Sequence, residues 1–139
     1  MRLLDAADRP SGALRDRLID KGYDDETVAA VVDRLIEVGL VDDESYAQSA
    51  VRYCVGRLMG YRGAVMELAR KGVDRPLAER VCDEARMSGV FEDAAWELGR
   101  RSAAKTQGMD PKVRKRRFWS SGGRKGHDEI GRASCRERV

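Results

Sequence analysis

The sequence has one histidine, three cysteines and no long apolar run, and each scarcity excludes a class of protein. Cys54, Cys82 and Cys135 are odd in number and widely spaced, with no CxxC pair, so neither a disulfide framework nor a zinc site is predicted. With His127 as the only imidazole and no Walker motif, no nucleophile–base set or phosphate-binding loop can be assembled. We therefore expect a protein that is not an enzyme and uses no metal or cofactor.

No apolar stretch approaches the roughly 20 residues that a membrane-spanning helix needs, and no secretory signal is visible. Cys54 and Cys82 fall at apolar helix positions, where inert packing is the favoured role for a free thiol. These features predict a cytoplasmic protein with no membrane partner.

Proline and aromatic residues are also few, whereas charged residues make up 37% and hydrophobic residues 42% of the chain. Such a composition favours a soluble helical protein over a sheet or a disordered chain. The clearest helical period places Val28, Val31, Val32, Leu35 and Ile36 on one stripe. We expect Val31, Val32 and Leu35 to be buried.

A pattern of helices and glycine turns recurs after fifty residues. Lys21-Gly22 ends one helix, Lys71-Gly72 ends its counterpart, and Lys125-Gly126 precedes an aromatic residue in a third, shorter version; Gly39 ends the helix between the first two turns. The period predicts an all-α fold of stacked three-helix units. Each unit is too small to bury its own apolar face, so neighbouring units are expected to share one continuous core.

The repeat suggests five segments along the chain. We interpret residues 1–10 as the end of an incomplete N-terminal helix, 11–60 as the first three-helix repeat and 61–106 as the second. Residues 107–130 form an incomplete third repeat. Residues 131–139 carry no apolar stripe, and we interpret them as a non-native tail.

An acidic cluster and two tyrosines each allow a functional and a structural interpretation. Asp42, Asp43 and Glu44 could hold a metal or act as an acid–base pair, but the start of a helix explains such carboxylates, and capping is favoured. Ser11 is expected to cap the first helix in the same way. Tyr46 and Tyr53 could stack on bases, although packing at a seam between repeats is the favoured role.

Positive charge is concentrated at the C-terminal end. Residues 101–139 carry 12 of the 27 basic side chains and only 4 of the 24 acidic ones. The helix from Pro111 has five cations in six positions, followed by Phe118 and Trp119, which suits a phosphate backbone or an acidic protein groove; a merely solvated face remains the other reading. The candidate contact residues are Lys112, Arg114, Lys115, Arg116 and Arg117, with Arg57 and Arg62 at the junction between repeats.

In order and spacing these elements resemble the RecX family, bacterial regulators of the RecA recombinase. The matching segments include Arg9-Pro10, residues 14–18, Lys21-Gly22-Tyr23, residues 39–43, Tyr46-Ala47, Arg62-Gly63, Lys71-Gly72-Val73, Ala94-Ala95 and the basic segment before Phe118. The resemblance implies tandem three-helix repeats arranged side by side in an elongated, curved array.

The resemblance also implies a partner. A member of that family would bind, as a monomer, along a RecA filament on single-stranded DNA and limit its recombinase, ATPase and coprotease activities. Such a role belongs to DNA repair, homologous recombination and the SOS response. The alternative is a stand-alone helical nucleic-acid-binding module that acts through the basic helix at residues 112–117.

Overall fold

The computed structural model describes residues 9–127, and within that range every regular element is a helix. The prediction of an all-α fold is therefore confirmed for these residues. The predictions for residues 1–8 and for residues 128–139 lie outside the described range. The described elements are α1 (Ser11–Asp20), α2 (Asp25–Glu37), α3 (Asp43–Gly56), α4 (Tyr61–Arg70), α5 (Arg75–Met87), α6 (Val90–Lys105) and α7 (Pro111–Arg124).

Short-range sequence signals set most helix boundaries. The Asp24 carboxylate accepts the backbone N–H of Thr27 at 2.9 Å, and the Asp42 carboxylate accepts that of Ser45 at 3.1 Å, so both aspartates cap the helices that follow them. α5 and α7 both carry a proline in the first turn, where no helical N–H partner is needed.

The three Lys–Gly turns have the same geometry. Gly22, Gly72 and Gly126 have φ angles of +98°, +101° and +79°, in the left-handed region where glycine avoids the strain that a side chain would bring. The residue after each glycine donates its N–H to a carbonyl five residues earlier, as in Tyr23 to Leu18 at 3.3 Å. The turns are thus three copies of one helix stop.

Buried apolar side chains within residues 9–127 form two clusters rather than the one continuous core expected. The smaller cluster joins α1 and α2 through Leu14, Val28, Val32 and Val41. The larger cluster joins α3, α4, α5 and the start of α6, and α7 packs on α6. The residue 60/61 boundary between the expected repeats falls inside the larger cluster. The sequence period groups α3 with α1 and α2, whereas in the structure α3 packs with α4 and α5. The division into repeats therefore stays a prediction.

The expectation for α2 was wrong at one position. Val32 is fully buried and Leu35 is half-buried, but Val31 is 40% exposed. Val81, which lies fifty residues after Val31, is only 4% exposed because it belongs to the cluster to which α3 contributes. In the described part of the chain no helix packs on α1 and α2 as α3 packs on α4 and α5, and Val31 is left open.

One backbone contact occurs twice between helix starts and glycine turns. Gly12, at the start of α1, lies against the carbonyl of Gly72 so closely that a Cβ would have no room. Gly63, near the start of α4, lies in the same way against the carbonyl of Lys125. The N–H of Gly60 also donates to that Lys125 carbonyl at 2.7 Å. The second contact sets the position of the end of α7 beside the end of α3.

Candidate anion-binding groove

A groove of about 680 Å³ lies between the C-terminal end of α3 and the facing sides of α6 and α7. Among the described residues that line it, none is acidic. The basic lining residues are Arg57, Arg101, Lys105, Arg117, Arg124 and Lys125. Hydroxyl groups of Ser102, Thr106, Ser120 and Ser121 and the side chains of Leu58 and Leu98 complete the lining. Cations beside hydroxyl donors suit phosphate or carboxylate oxygens.

Helical spacing brings these side chains to one surface. On α6, Arg101 and Lys105 are four residues apart and therefore share a face; on α7, Arg117 and Arg124 are seven apart and do the same. Arg57 lies at the C-terminal end of α3. Because α7 packs on α6 and its final turn lies beside the end of α3, the three faces meet in one concave surface.

The cations in the groove differ in their partners. Arg101 pairs with Glu97 at 3.3 Å, and Arg57 donates to the hydroxyl of Tyr53 at 3.0 Å. The side chains of Lys105, Arg117, Arg124 and Lys125 have no hydrogen bond or ion pair within residues 9–127. Positive charges that are not neutralised and that line a concave surface raise the local potential and attract an anion.

Two of the sequence-predicted contact residues, Arg57 and Arg117, lie in this groove. The structure adds Arg101 and Lys105 and the pair Arg124-Lys125, which sequence reasoning missed. The i, i+4 spacing of Arg101 and Lys105 was a visible signal. Its meaning depended on which face of α6 meets α7, and the sequence does not show that.

The other cations of α7 lie outside the groove. The guanidinium of Arg114 donates to the hydroxyl of Thr106 at 3.2 Å and to the carbonyl of Ala103 at 3.3 Å, so it fastens α7 to the end of α6. The ammonium of Lys115 lies 5.7 Å from the centroid of the Trp119 ring. Each of these side chains is engaged with its own protein, which makes it a weaker candidate for partner binding.

Lys112 and Arg116 are exposed on α7, and Arg62 is exposed in the first turn of α4; none of the three lines the groove. Phe118 is half-buried and lies over Gly99 of α6, within about 4 Å of where a Cβ would be. The basic run and its aromatic neighbours are thus spread around α7 rather than gathered on one surface.

The acidic cluster at the start of α3 is occupied by structural contacts. Hydrogen bonds from Ser45 lower the pKa of Asp42, Asp43 accepts hydrogen bonds from Ser11, and Glu44 pairs with Arg80 of α5 at 3.1 Å. No group of three or more potential metal ligands exists in the described range. This geometry agrees with capping and helix joining.

The two tyrosines considered for base stacking have different surroundings. Tyr46 is half-buried against the larger core cluster, whereas Tyr53 is 54% exposed. The Tyr53 ring has two cations near it, Lys71 at 5.2 Å and Arg57 at 5.7 Å from its centroid. Of the two rings, that of Tyr53 is the more exposed.

The described residues therefore define a helical protein with a cationic groove formed by α3, α6 and α7. A family model described as "RecX, first three-helix domain" matches residues 1–35. The crystal structure of RecX from Lactobacillus salivarius is similar in fold, with a TM-score of 0.79 and 19% identity, over 98% of this chain and 94% of that one.

Curated relatives extend the match. Regulatory protein RecX of Thermobifida fusca (strain YX) is 37% identical over 130 residues, which cover 91% of this chain and 69% of the relative. Regulatory protein RecX of Streptomyces lividans is 32% identical over 130 residues, covering 93% and 69%. The chain belongs to the RecX family.

Some relatives match over a shorter stretch. Regulatory protein RecX of Mycobacterium sp. (strain JLS) is 48% identical over 77 residues, 53% of this chain, and the match spans about two fifths of that relative's length. The match to the model of the first three-helix domain ends inside α2. This end agrees with the packing, because α3 packs with α4 and α5 in the larger core cluster.

Proposed function

We propose that this chain is a non-enzymatic regulator that binds a RecA filament assembled on single-stranded DNA and lowers its recombinase, ATPase and coprotease activities. Relatives that carry the name regulatory protein RecX support a regulatory role. The groove with six cations and no lining carboxylate is the observation that carries the choice of partner. A nucleoprotein filament is a polyanion, and a cationic concave surface binds polyanions by releasing their counterions.

One chain supplies all six cations, so the proposed active form is a monomer. Binding along the filament brings the groove against negative charge, and α1 and α2 contribute no residue to its lining. Regulation then follows from occupancy: a bound regulator blocks the motions and contacts that filament growth and ATP turnover require. Because RecA works in the cytoplasm, we place the protein there as well.

The test is the single-stranded-DNA-dependent ATPase rate of the cognate RecA while this chain is titrated in. The groove variant carries Lys105→Glu and Arg124→Glu, which reverse two cations that have no partner within the described residues. The matched control carries Arg15→Glu and Arg17→Glu, the same charge change on exposed residues of α1. We expect the wild type and the control to inhibit and the groove variant to need a concentration at least tenfold higher.

Equal inhibition by the groove variant and the wild type would show that the groove does not contact the filament. Absence of inhibition by the wild type would contradict the regulatory function itself. If the wild type shifted bare DNA in a gel at the same concentration with or without RecA, the stand-alone nucleic-acid-binding module would replace the proposal. The number of phosphates contacted would follow from a plot of the logarithm of the binding constant against the logarithm of the salt concentration. Each phosphate contact on a single strand makes the slope of that plot steeper by about 0.7.

A further inference from the structure

Tyr53 is an exposed aromatic residue that contacts a residue of the cationic groove. It lies in the last turn of α3, one turn before Arg57, a groove-lining residue that donates to its hydroxyl at 3.0 Å. The ammonium of Lys71, from the turn after α4, lies 5.2 Å from the centroid of the ring. An aromatic side chain that is 54% exposed thus has two cations near its ring, and one of them, Arg57, lines the groove.

The carboxylate of Glu67 interacts with the two cations next to Tyr53. A hydrogen bond with Arg70 lowers the pKa of Glu67, and the nearby Lys71 and Arg57 lower it further, so this carboxylate stays ionised. The guanidinium of Arg70 forms an ion pair with this carboxylate. Lys71 lies 5.2 Å and Arg57 lies 5.7 Å from the centroid of the Tyr53 ring, and both lower the pKa of Glu67.

We propose that Tyr53 is a base-stacking residue and that the groove takes a single nucleic-acid strand, with its phosphodiester backbone along the cations and one unpaired base against the tyrosine. This inference rests on the proposed function for the use of the groove. It names the component that the groove contacts, which is the strand rather than an acidic protein surface. A duplex keeps its bases stacked inside and cannot offer one to Tyr53.

Phosphate binding and base stacking have separable signatures. Contacts to phosphate depend steeply on salt and do not require bases. Stacking of a base on an aromatic ring tolerates any sequence and depends weakly on salt, and its loss weakens binding by about 5- to 150-fold for each base. A strand that lacks bases but keeps the phosphate charges therefore isolates the contribution of Tyr53.

The experiment measures binding of the full chain, without RecA, to three fluorescent probes of equal length: oligothymidylate, an abasic strand and a duplex. Tyr53→Ala is expected to weaken binding of oligothymidylate about 5- to 150-fold and to leave binding of the abasic strand unchanged. Tyr53→Phe keeps the ring and is expected to retain tight binding. The control is Tyr23→Ala, because Tyr23 is equally exposed, at 55%, but follows α1, which contributes no residue to the lining of the groove.

Every outcome decides the inference. Loss of affinity by Tyr53→Ala on oligothymidylate alone, with an unchanged thermal midpoint, supports stacking. An equal loss on the abasic strand, no loss on either strand, or binding of the duplex as tight as that of oligothymidylate overturns it. RecA inhibition that depends on Lys105 and Arg124 but not on Tyr53 would leave the proposed function standing and refute the stacking role. Binding of the strand that depends on Tyr53, without inhibition of RecA, would support the stacking role and refute the proposed function.

Discussion

The carboxylate of Asp43 accepts two hydrogen bonds from Ser11, one from the backbone N–H at 2.7 Å and one from the hydroxyl at 2.5 Å. Ser11 is the first residue of α1 and lies 32 positions earlier in the chain. The N-cap residue Pro10 makes no side-chain cap hydrogen bond, and an aspartate of α3 accepts the N–H of Ser11 instead. The pair joins a helix of the smaller core cluster to a helix of the larger one.

Asp43→Ala is expected to lower the free energy of unfolding by about 1–2 kcal/mol, because two donors at a half-buried helix start lose their acceptor. Urea denaturation gives the measurement. Glu44→Ala serves as the control, since Glu44 makes an exposed ion pair and its removal is expected to matter less. If the two variants were equally stable, the link between Ser11 and Asp43 would contribute nothing beyond a surface contact.

Gly72→Ala and Gly22→Ala separate backbone strain from steric contact. Both glycines have φ near +100°, so each substitution is expected to cost about 1–2 kcal/mol for the left-handed conformation alone. A Cβ at Gly22 would meet nothing within 4 Å, whereas a Cβ at Gly72 would lie 2.6 Å from the backbone nitrogen of Ala13. We expect Gly72→Ala to cost about 1–3 kcal/mol more than Gly22→Ala.

Thermal and urea unfolding of the two variants provide the comparison. Equal losses would show that the start of α1 can move away from the turn after α4 without cost. A larger loss for Gly22→Ala would mean that the open turn has a contact outside the described residues.

Local sequence signals predicted the helices and their ends well. The Lys–Gly turns after α1, α4 and α7 are left-handed helix stops, and Asp42 caps the helix that follows it. Each of these features depends on residues within one turn of one another. The chemistry that determines them is therefore readable from neighbouring letters.

Long-range features escaped prediction for the opposite reason. Ser11 was expected to cap α1 but is its first helical residue, and the capping group comes from Asp43. Periodicity places Val31 on the apolar stripe, yet burial requires a second helix above that stripe. The groove combines cations from three helices, and only the packing of α7 on α6 shows which of their faces meet.

Acid should destabilise the protein through its helix caps. A side-chain hydrogen bond with Thr27 lowers the pKa of Asp24 below 3.8, and a backbone hydrogen bond from Ser45 does the same for Asp42. The folded-state pKa is thus lower than the unfolded one, so the stabilisation is present above pH 3.8 and disappears as the pH falls through the folded value.

Asp42→Asn tests this dependence because asparagine can cap but carries no charge. We expect the stability difference between the wild type and Asp42→Asn to be constant above pH 3.8 and to shrink below it. Urea midpoints measured on both sides of that pH provide the answer. A difference that grew as the pH fell would show that the charge of Asp42 opposes folding.

The buried thiols should be unreactive until the protein unfolds. Burial, with a smaller effect of the neighbouring Cys54 thiol, raises the pKa of Cys82 to about 12, and burial likewise raises the pKa of Cys54. Both side chains are inaccessible in the larger core cluster, and the reactive species is the thiolate. In a Cys135→Ser variant at mildly alkaline pH, we expect no reaction with a thiol reagent in the folded protein and two reactive thiols in denaturant.

The labelling rate then measures the opening of the cluster that holds α3, α4 and α5 together. Groove variants such as Lys105→Glu with Arg124→Glu should label as slowly as the Cys135→Ser parent, because these side chains lie outside the core. Leu68→Ala should label much faster, since removing a fully buried leucine costs about 2–5 kcal/mol and makes opening correspondingly more frequent. Rapid labelling of Cys54 or Cys82 in the folded parent would contradict the packing of α3 against α5, on which the position of the groove depends.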